Sequence, residues 1–199
     1  MKRIVLPLSF YLALVTSITC AATLLEDFND GITPSWWTVE TGYPYDIGAP
    51  DSEGRLRITK TADYQTYYSR ITSTFTLEGN MSAYVDFNLL TFPTYNSGID
   101  GNVLQLAVIT TSGYAFGTSR YTTEGGHYVT GYTKQFGFTG TNATNASTGT
   151  LGITRTGNTI SAWADYGSGL TLLGGSLPVL SLDTLRQTNA RFLARSVLQ

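Results

Sequence analysis

The stretch STGTLGITRTGNTISAWADYGSG, Ser147 to Gly169, holds two alternating runs on either side of the dipeptide Gly157-Asn158. Glycine accepts a positive φ without a Cβ clash, so the dipeptide suits a two-residue hairpin turn. Pairing the runs about it sets Arg155 opposite Ile160, Ile153 opposite Ala162 and Leu151 opposite Ala164, a mostly apolar face. The other face carries Thr150, Gly152, Thr154, Thr159, Ser161, Trp163 and Asp165. Trp163 stands opposite Gly152, where a large ring covers backbone that glycine leaves bare. A hairpin with one greasy and one wet face belongs in an antiparallel sheet packed on one side.

Working outward, Met81 to Leu90 repeats the pattern. Met81, Ala83, Val85, Phe87 and Leu89 take one face, and Ser82, Tyr84, Asp86 and Asn88 the other. Val103 to Thr110 is nearly all apolar, as a central strand covered on both sides would be. Strands are also expected at Leu24–Phe28, Ser35–Val39, Arg55–Thr59, Tyr67–Leu77, Tyr114–Tyr121 and His127–Phe138. Asn29-Asp30-Gly31, Glu78-Gly79-Asn80, Ser112-Gly113 and Glu124-Gly125-Gly126 turn the chain between them. Residues 139–149 (TGTNATNASTG) read as an exposed loop of low complexity. Leu170–Leu173 reads as a short strand, and Arg191–Leu198 as a closing strand of uncertain or truncated form. With 21 Gly, 13 Tyr and 13% charged residues, the composition fits many short strands joined by tight turns. No sustained helical stripe and no solenoid or propeller repeat is found.

The first residues read as an address. Lys2 and Arg3 precede an apolar run from Ile4 to Ile18, short for a membrane span and the length of a signal peptide core. Ala21 and Ala22 suit cleavage, which divides the chain into a leader at 1–22 and one domain at 23–199. The expected location is outside the cytoplasm: secreted, or in the cell envelope at the periplasm or cell surface. The sole cysteine, Cys20, leaves with the leader, so neither disulfides nor thiolate chemistry are expected. Losing Lys2 and Arg3 leaves 10 basic against 14 acidic residues, a net charge of −4. Such a surface argues against nucleic acid as a partner.

LEDFNDGI followed by SWW, then EGRLRITK, then TGTLGITRTGNTISAW, resembles secreted domains of the concanavalin A-like lectin/glucanase superfamily, of the laminin-G-like kind. Phe28, the strand Gly54–Ile58 and the hairpin Gly149–Trp163 carry the likeness over roughly residues 24–173. The resemblance implies an all-β fold, a two-sheet antiparallel β-sandwich or jelly roll. It also implies a shallow sheet face and loops that meet saccharides. Such domains often end on an Asp-Asn-Phe-like strand beside the first strand, whereas this chain ends ARFLARSVLQ, which would leave an edge open next to Leu24–Phe28. Relatives commonly hold calcium near the paired termini, at positions matching Asp27 or Asp30. No metal site is assigned.

Chemistry narrows the function. Glycosidases need two carboxylates across a cleft. The Glu-x-Asp-x-Glu run of the superfamily's hydrolases is missing, and the segments around Asp86 and Asp165 offer one acid each. His127, Tyr128, Tyr132, Lys134 and Gln135 have the residue types of a lyase site, but alternation splits them between two faces. There is no Gly-x-Ser-x-Gly elbow and no phosphate loop, and one His without Cys builds no ordinary zinc site. What remains is binding. Sugars present flat C–H faces and rings of hydroxyls, which suit aromatic platforms flanked by Asp and Asn. The candidates are Tyr84, Asp86, Asn88 and Trp163, with Tyr128 and Tyr132 as companions. The expected function is a secreted, non-catalytic, lectin-like module whose partner is a polysaccharide. The alternatives are a glucanase or lyase on the same fold, or an adhesion module with protein partners.

Overall fold

The computed structural model describes residues 35, 37–40, 45–48, 58–60, 68–74, 79–90, 102–110, 115–123, 125–133, 137–175, 177–178 and 188–196. The expected leader at 1–22, the strand expected at Leu24–Phe28 with Asp27 and Asp30, Gly54–Arg57, Lys134 and Gln135 lie outside them.

All regular structure among the described residues is β-strand. In chain order the strands are β1 (Trp37–Glu40), β2 (Tyr45–Ile47), β3 (Ile58–Lys60), β4 (Tyr68–Ser73), β5 (Met81–Asn88), β6 (Asn102–Thr110) and β7 (Ala115–Thr123). They continue with β8 (Gly126–Thr133), β9 (Gly137–Ala143), β10 (Thr148–Thr156), β11 (Thr159–Asp165), β12 (Thr171–Leu172), β13 (Leu177–Pro178) and β14 (Thr188–Ser196). Every pairing among them is antiparallel. One sheet runs β1-β4-β14-β6-β7-β8-β9, a second runs β12-β11-β10-β5 with β13 also on β11, and β2 pairs β3.

The β10–β11 hairpin forms in the register its alternation dictates. Leu151 pairs Ala164, Ile153 pairs Ala162, Arg155 pairs Ile160 and Gly152 pairs Trp163. Gly157 holds φ at 57°. A primed two-residue turn requires such a positive φ at its first residue. The Gly157 N–H donates to Asn80 Oδ1 at 2.7 Å. That bond fastens the turn to the start of β5. β5 alternates as expected, its Ser82, Tyr84, Asp86 and Asn88 exposed and Phe87 buried.

The core is shared between the two large sheets. Phe87, Leu151, Ile153, Ile160, Ala164 and Leu173 from one side meet Leu104, Leu106, Val108 and Val129 from the other. β10 touches β6 and β7, and β11 touches β7 and β8. The fold is all-β and antiparallel, and compatible with a β-sandwich. Leu151, Val108 and Val129 have no exposed surface. Each such side chain contributes about 1.5–3 kcal/mol by leaving water. The sheets also approach backbone to backbone. A Cβ built on Gly140 in β9 would stand 2.3 Å from Gly174 N and 2.6 Å from Gly174 Cα, so only glycine fits there. Thr118 in β7 adds a polar tie, donating to the Trp163 carbonyl at 3.2 Å.

Contrary to the loop expected there, residues 139–149 are not one connection. β9 runs to Ala143 and pairs β8, β10 starts at Thr148, and only 144–147 join them. The Gly, Asn and Thr composition hid a strand whose ladder is supplied by β8 rather than by its own apolar pattern. The C-terminal strand β14 does not border the sheet but lies inside it, between β4 and β6. Val103–Thr110 does hold the middle, in the fourth strand of seven.

Candidate functional site

The candidate site is the outward face of the five-stranded sheet, laid out in cross-strand rows. Because β5, β10 and β11 are in continuous register, residues that share a row are fixed by pairing. Tyr84 pairs Gly152, Gly152 pairs Trp163, and Trp163 pairs Leu172, giving one row across four strands. The next row holds Asp86, Thr150 and Asp165, and the one beyond that Asn88 and Thr148. On the other side of the aromatic row stand Ser82, Thr154 and Ser161. Same-face neighbours along a strand are roughly 7 Å apart, so a ring seated on the aromatic row has hydroxyl or carboxylate groups on both flanks.

The aromatic row is not quite as the pattern predicts. Trp163 stands opposite Gly152, but Tyr84 covers the glycine: its Cδ1 and Cε1 lie 2.7 Å from where a Gly152 Cβ would be. Trp163 sends its indole N–H to Thr154 Oγ1 at 2.9 Å, one row further along β10. Both rings therefore lie toward β10 and share its outward face. Tyr84 is 50% exposed, Leu172 37% and Leu170 52%, while Trp163 is half-buried.

The polar flank is organised by hydrogen bonds. Thr150 Oγ1 donates to Asp86 Oδ1. Asp165 Oδ1 accepts from Gly167 N at 2.8 Å and from Gly169 N at 3.1 Å. These bonds shape the turn leading to β12, as Asp side chains commonly do. Asp86 and Asp165 both pair Thr150, one from each side. Two strand spacings put their α-carbons roughly 10 Å apart.

The structure brings Tyr84, Asp86, Asn88 and Trp163 to one face, and separates them from the two companions. Tyr128 is on the other sheet, stacked on Tyr121 with ring centroids 5.4 Å apart, and its hydroxyl donates to Gly125 O at 2.7 Å. Tyr132 is placed by its backbone alone, opposite Gly117 in β7. The Tyr121–Tyr128 pair is cross-strand packing that locks the β7–β8 turn. Two features escape a reading of the sequence. Thr150 hides among many threonines, and its bond to Asp86 depends on a pairing 64 residues apart. Arg120 in β7 is only 2% exposed, its guanidinium donating to the carbonyls of Tyr121, Tyr128 and Ala146. Burial lowers its pKa, and beside it His127 is held below the usual histidine value, by burial first and by Arg120 second.

Among the described residues no three His, Cys, Asp or Glu side chains gather to hold a metal ion. Among them too, no helix is long and apolar enough to cross a membrane.

No protein-family profile matches the chain. No curated protein sequence matches it either. Among solved structures, it is similar to a mutant of the GH43 protein BlXynB from Bacillus licheniformis, with 12% sequence identity and a TM-score of 0.47. The likeness covers 87% of this chain and 39% of that one, so the chain spans well under half of its length. At that score it says nothing about activity.

Proposed function

We propose that the outward face of β5, β10, β11 and β12 binds carbohydrate without altering it. The observation that carries this reading is the half-exposed Tyr84 ring lying on Gly152, in one row with Trp163, on a face otherwise rich in hydroxyls, amides and carboxylates. An aromatic ring laid against the backbone keeps its outer face open. The C–H face of a pyranose loses water against it, while the sugar's hydroxyls reach Asp86, Thr150 and Asn88 on one flank and Thr154 and Ser161 on the other. Long extended ligands suit such a surface, since the aromatic row runs on across four strands.

Export would fit the same reading: the leader expected at 1–22 would deliver the domain to where polysaccharides are found. Affinity electrophoresis through gels containing soluble polysaccharides tests the proposal. Wild type should be retarded by at least one of them, and Tyr84→Ala or Trp163→Ala should run as in a plain gel. Equal mobility of wild type in every gel overturns it.

A catalytic reading has one observation behind it, the two carboxylates of Asp86 and Asp165 in a single row. Inverting glycosidases also use two carboxyl groups set apart by the width of a water. Release of reducing ends that vanishes in Asp86→Asn would replace the binding reading with this one.

A further inference from the structure

We infer that this face selects its glycan by charge, favouring amine-bearing sugars and turning away uronates. The inference rests on the carbohydrate reading and names the ligand class within it. Asp86 and Asp165 are the charged side chains on the described outward face of β5, β10, β11 and β12, and both are acidic. Arg155, the basic residue of the hairpin, belongs to the opposite face and donates to Gly157 O. Asp86 Oδ1 takes the Thr150 hydroxyl, and Asp165 Oδ1 takes two backbone N–H groups. Among the described residues the Oδ2 atom of each takes no hydrogen bond, which lets it face a ligand.

Their place relative to the rings gives the selectivity. Both stand one row from Tyr84 and Trp163, so a charged substituent on a sugar stacked there lies roughly 7 Å or less from a carboxylate. In water a charge pair at that separation is worth about threefold in affinity. An ammonium gains that factor and a uronate loses it, which separates the two by about tenfold. Hydroxyl and amide neighbours cannot reverse the sign. A lyase acting on uronates needs a cation to neutralise the substrate carboxylate, and this face offers the opposite charge.

The test compares three soluble oligosaccharide probes in titration calorimetry: glucosamine oligomers with free amines, neutral gluco-oligosaccharides and galacturonate oligomers. Wild type is expected to bind them in that order, spanning about tenfold at low salt and less at high salt, as screening requires. The Asp86→Asn, Asp165→Asn double variant should bind the neutral probe more weakly, since Asp86 also meets sugar hydroxyls, and should bind all three probes alike, with the order among them lost. Tyr84→Ala leaves the net charge unchanged and should abolish binding of all three, which separates this face from attraction to the acidic chain as a whole. Galacturonate binding as tight as glucosamine binding overturns the inference and leaves the carbohydrate reading standing. So does glucosamine binding that survives Tyr84→Ala with neutral binding lost. No binding of any probe by wild type removes both.

Discussion

The ring of Tyr84 rests on Gly152, two of its carbons 2.7 Å from the position a Cβ would take. A methyl group at that position cannot coexist with the ring, so one must yield. Tyr84 is half exposed and has room to swing outward, whereas β10 is held on both edges. Trp163 Cβ, 3.3 Å from the same position, must also give slightly, so Gly152→Ala should cost about 1–2 kcal/mol in stability. It should nevertheless weaken glycan retardation about as much as Tyr84→Ala. Thermal unfolding and affinity electrophoresis on the same samples check both halves. Full retardation in Gly152→Ala would mean that the ring's resting place is unrelated to binding.

Two other glycines should behave differently from each other. At Gly140 the obstacle is the backbone of Leu173 and Gly174 in the facing layer, which no rotamer change can relieve. Gly140→Ala should lose about 3 kcal/mol or more, since it forces the sheets apart. Gly157 has open space around its α-carbon but a φ of 57°. Gly157→Ala therefore carries only the strain of a left-handed residue, about 1 kcal/mol. Urea unfolding of the two variants should rank them in that order. The reverse ranking would contradict the inter-sheet approach at Gly140.

These contrasts show which parts of the molecule the sequence displays. The hairpin register and the inward and outward sets of β5 come from local alternation, and the central position of β6 from its unbroken apolar run; neither signal needs a partner to be read. What Tyr84 covers could not be read, because the β5–β10 pairing runs from Asn88 with Thr148 to Met81 with Arg155, far apart in the chain, and nothing local specifies it. β9 was invisible for a related reason: its residues carry little apolar signal, and β8 alone makes it a strand. Arg120 and Thr122 occupy inward positions of β7, so the polar-outside rule inverts there and alternation marks no core face. The candidate site was legible as a set of residue types on wet faces. It is not legible as one surface: Tyr128 and Tyr132 share the residue type and the strand pattern of the site, yet stand on the other sheet.

The bond from the Trp163 indole to Thr154 Oγ1 should hold the larger platform in place. Thr154→Val keeps the shape and removes the acceptor. Because Trp163 is only half-buried, water can replace the lost partner, and the stability cost should be about 1 kcal/mol or less. The indole then gains freedom that a ligand must take away again, so affinity should fall severalfold while Trp163→Ala abolishes it. Calorimetric titration with the best-retained glycan checks the difference. Unchanged affinity in Thr154→Val would show that the indole is held by packing alone.

Stability should also depend on mild acid, through His127. Burial and the neighbouring Arg120 both disfavour its charged form. Its folded pKa therefore lies below the unfolded value of about 6.5. Above that unfolded value both states are neutral at His127, and its contribution is fully present. As pH falls below it the unfolded chain takes the proton first, and stability declines until the folded state is protonated as well. The slope for one group cannot exceed about 1.4 kcal/mol per pH unit. The loosening should begin where His127 and Arg120 meet the 144–147 connection, since the His127 carbonyl accepts from Thr144 N and Arg120 donates to Ala146 O. Urea midpoints measured from neutral pH downward should fall for wild type and stay flatter for His127→Gln across the same interval. If the two curves run parallel, the acid sensitivity comes from carboxylates elsewhere, and the charge conflict beside Arg120 has no energetic weight.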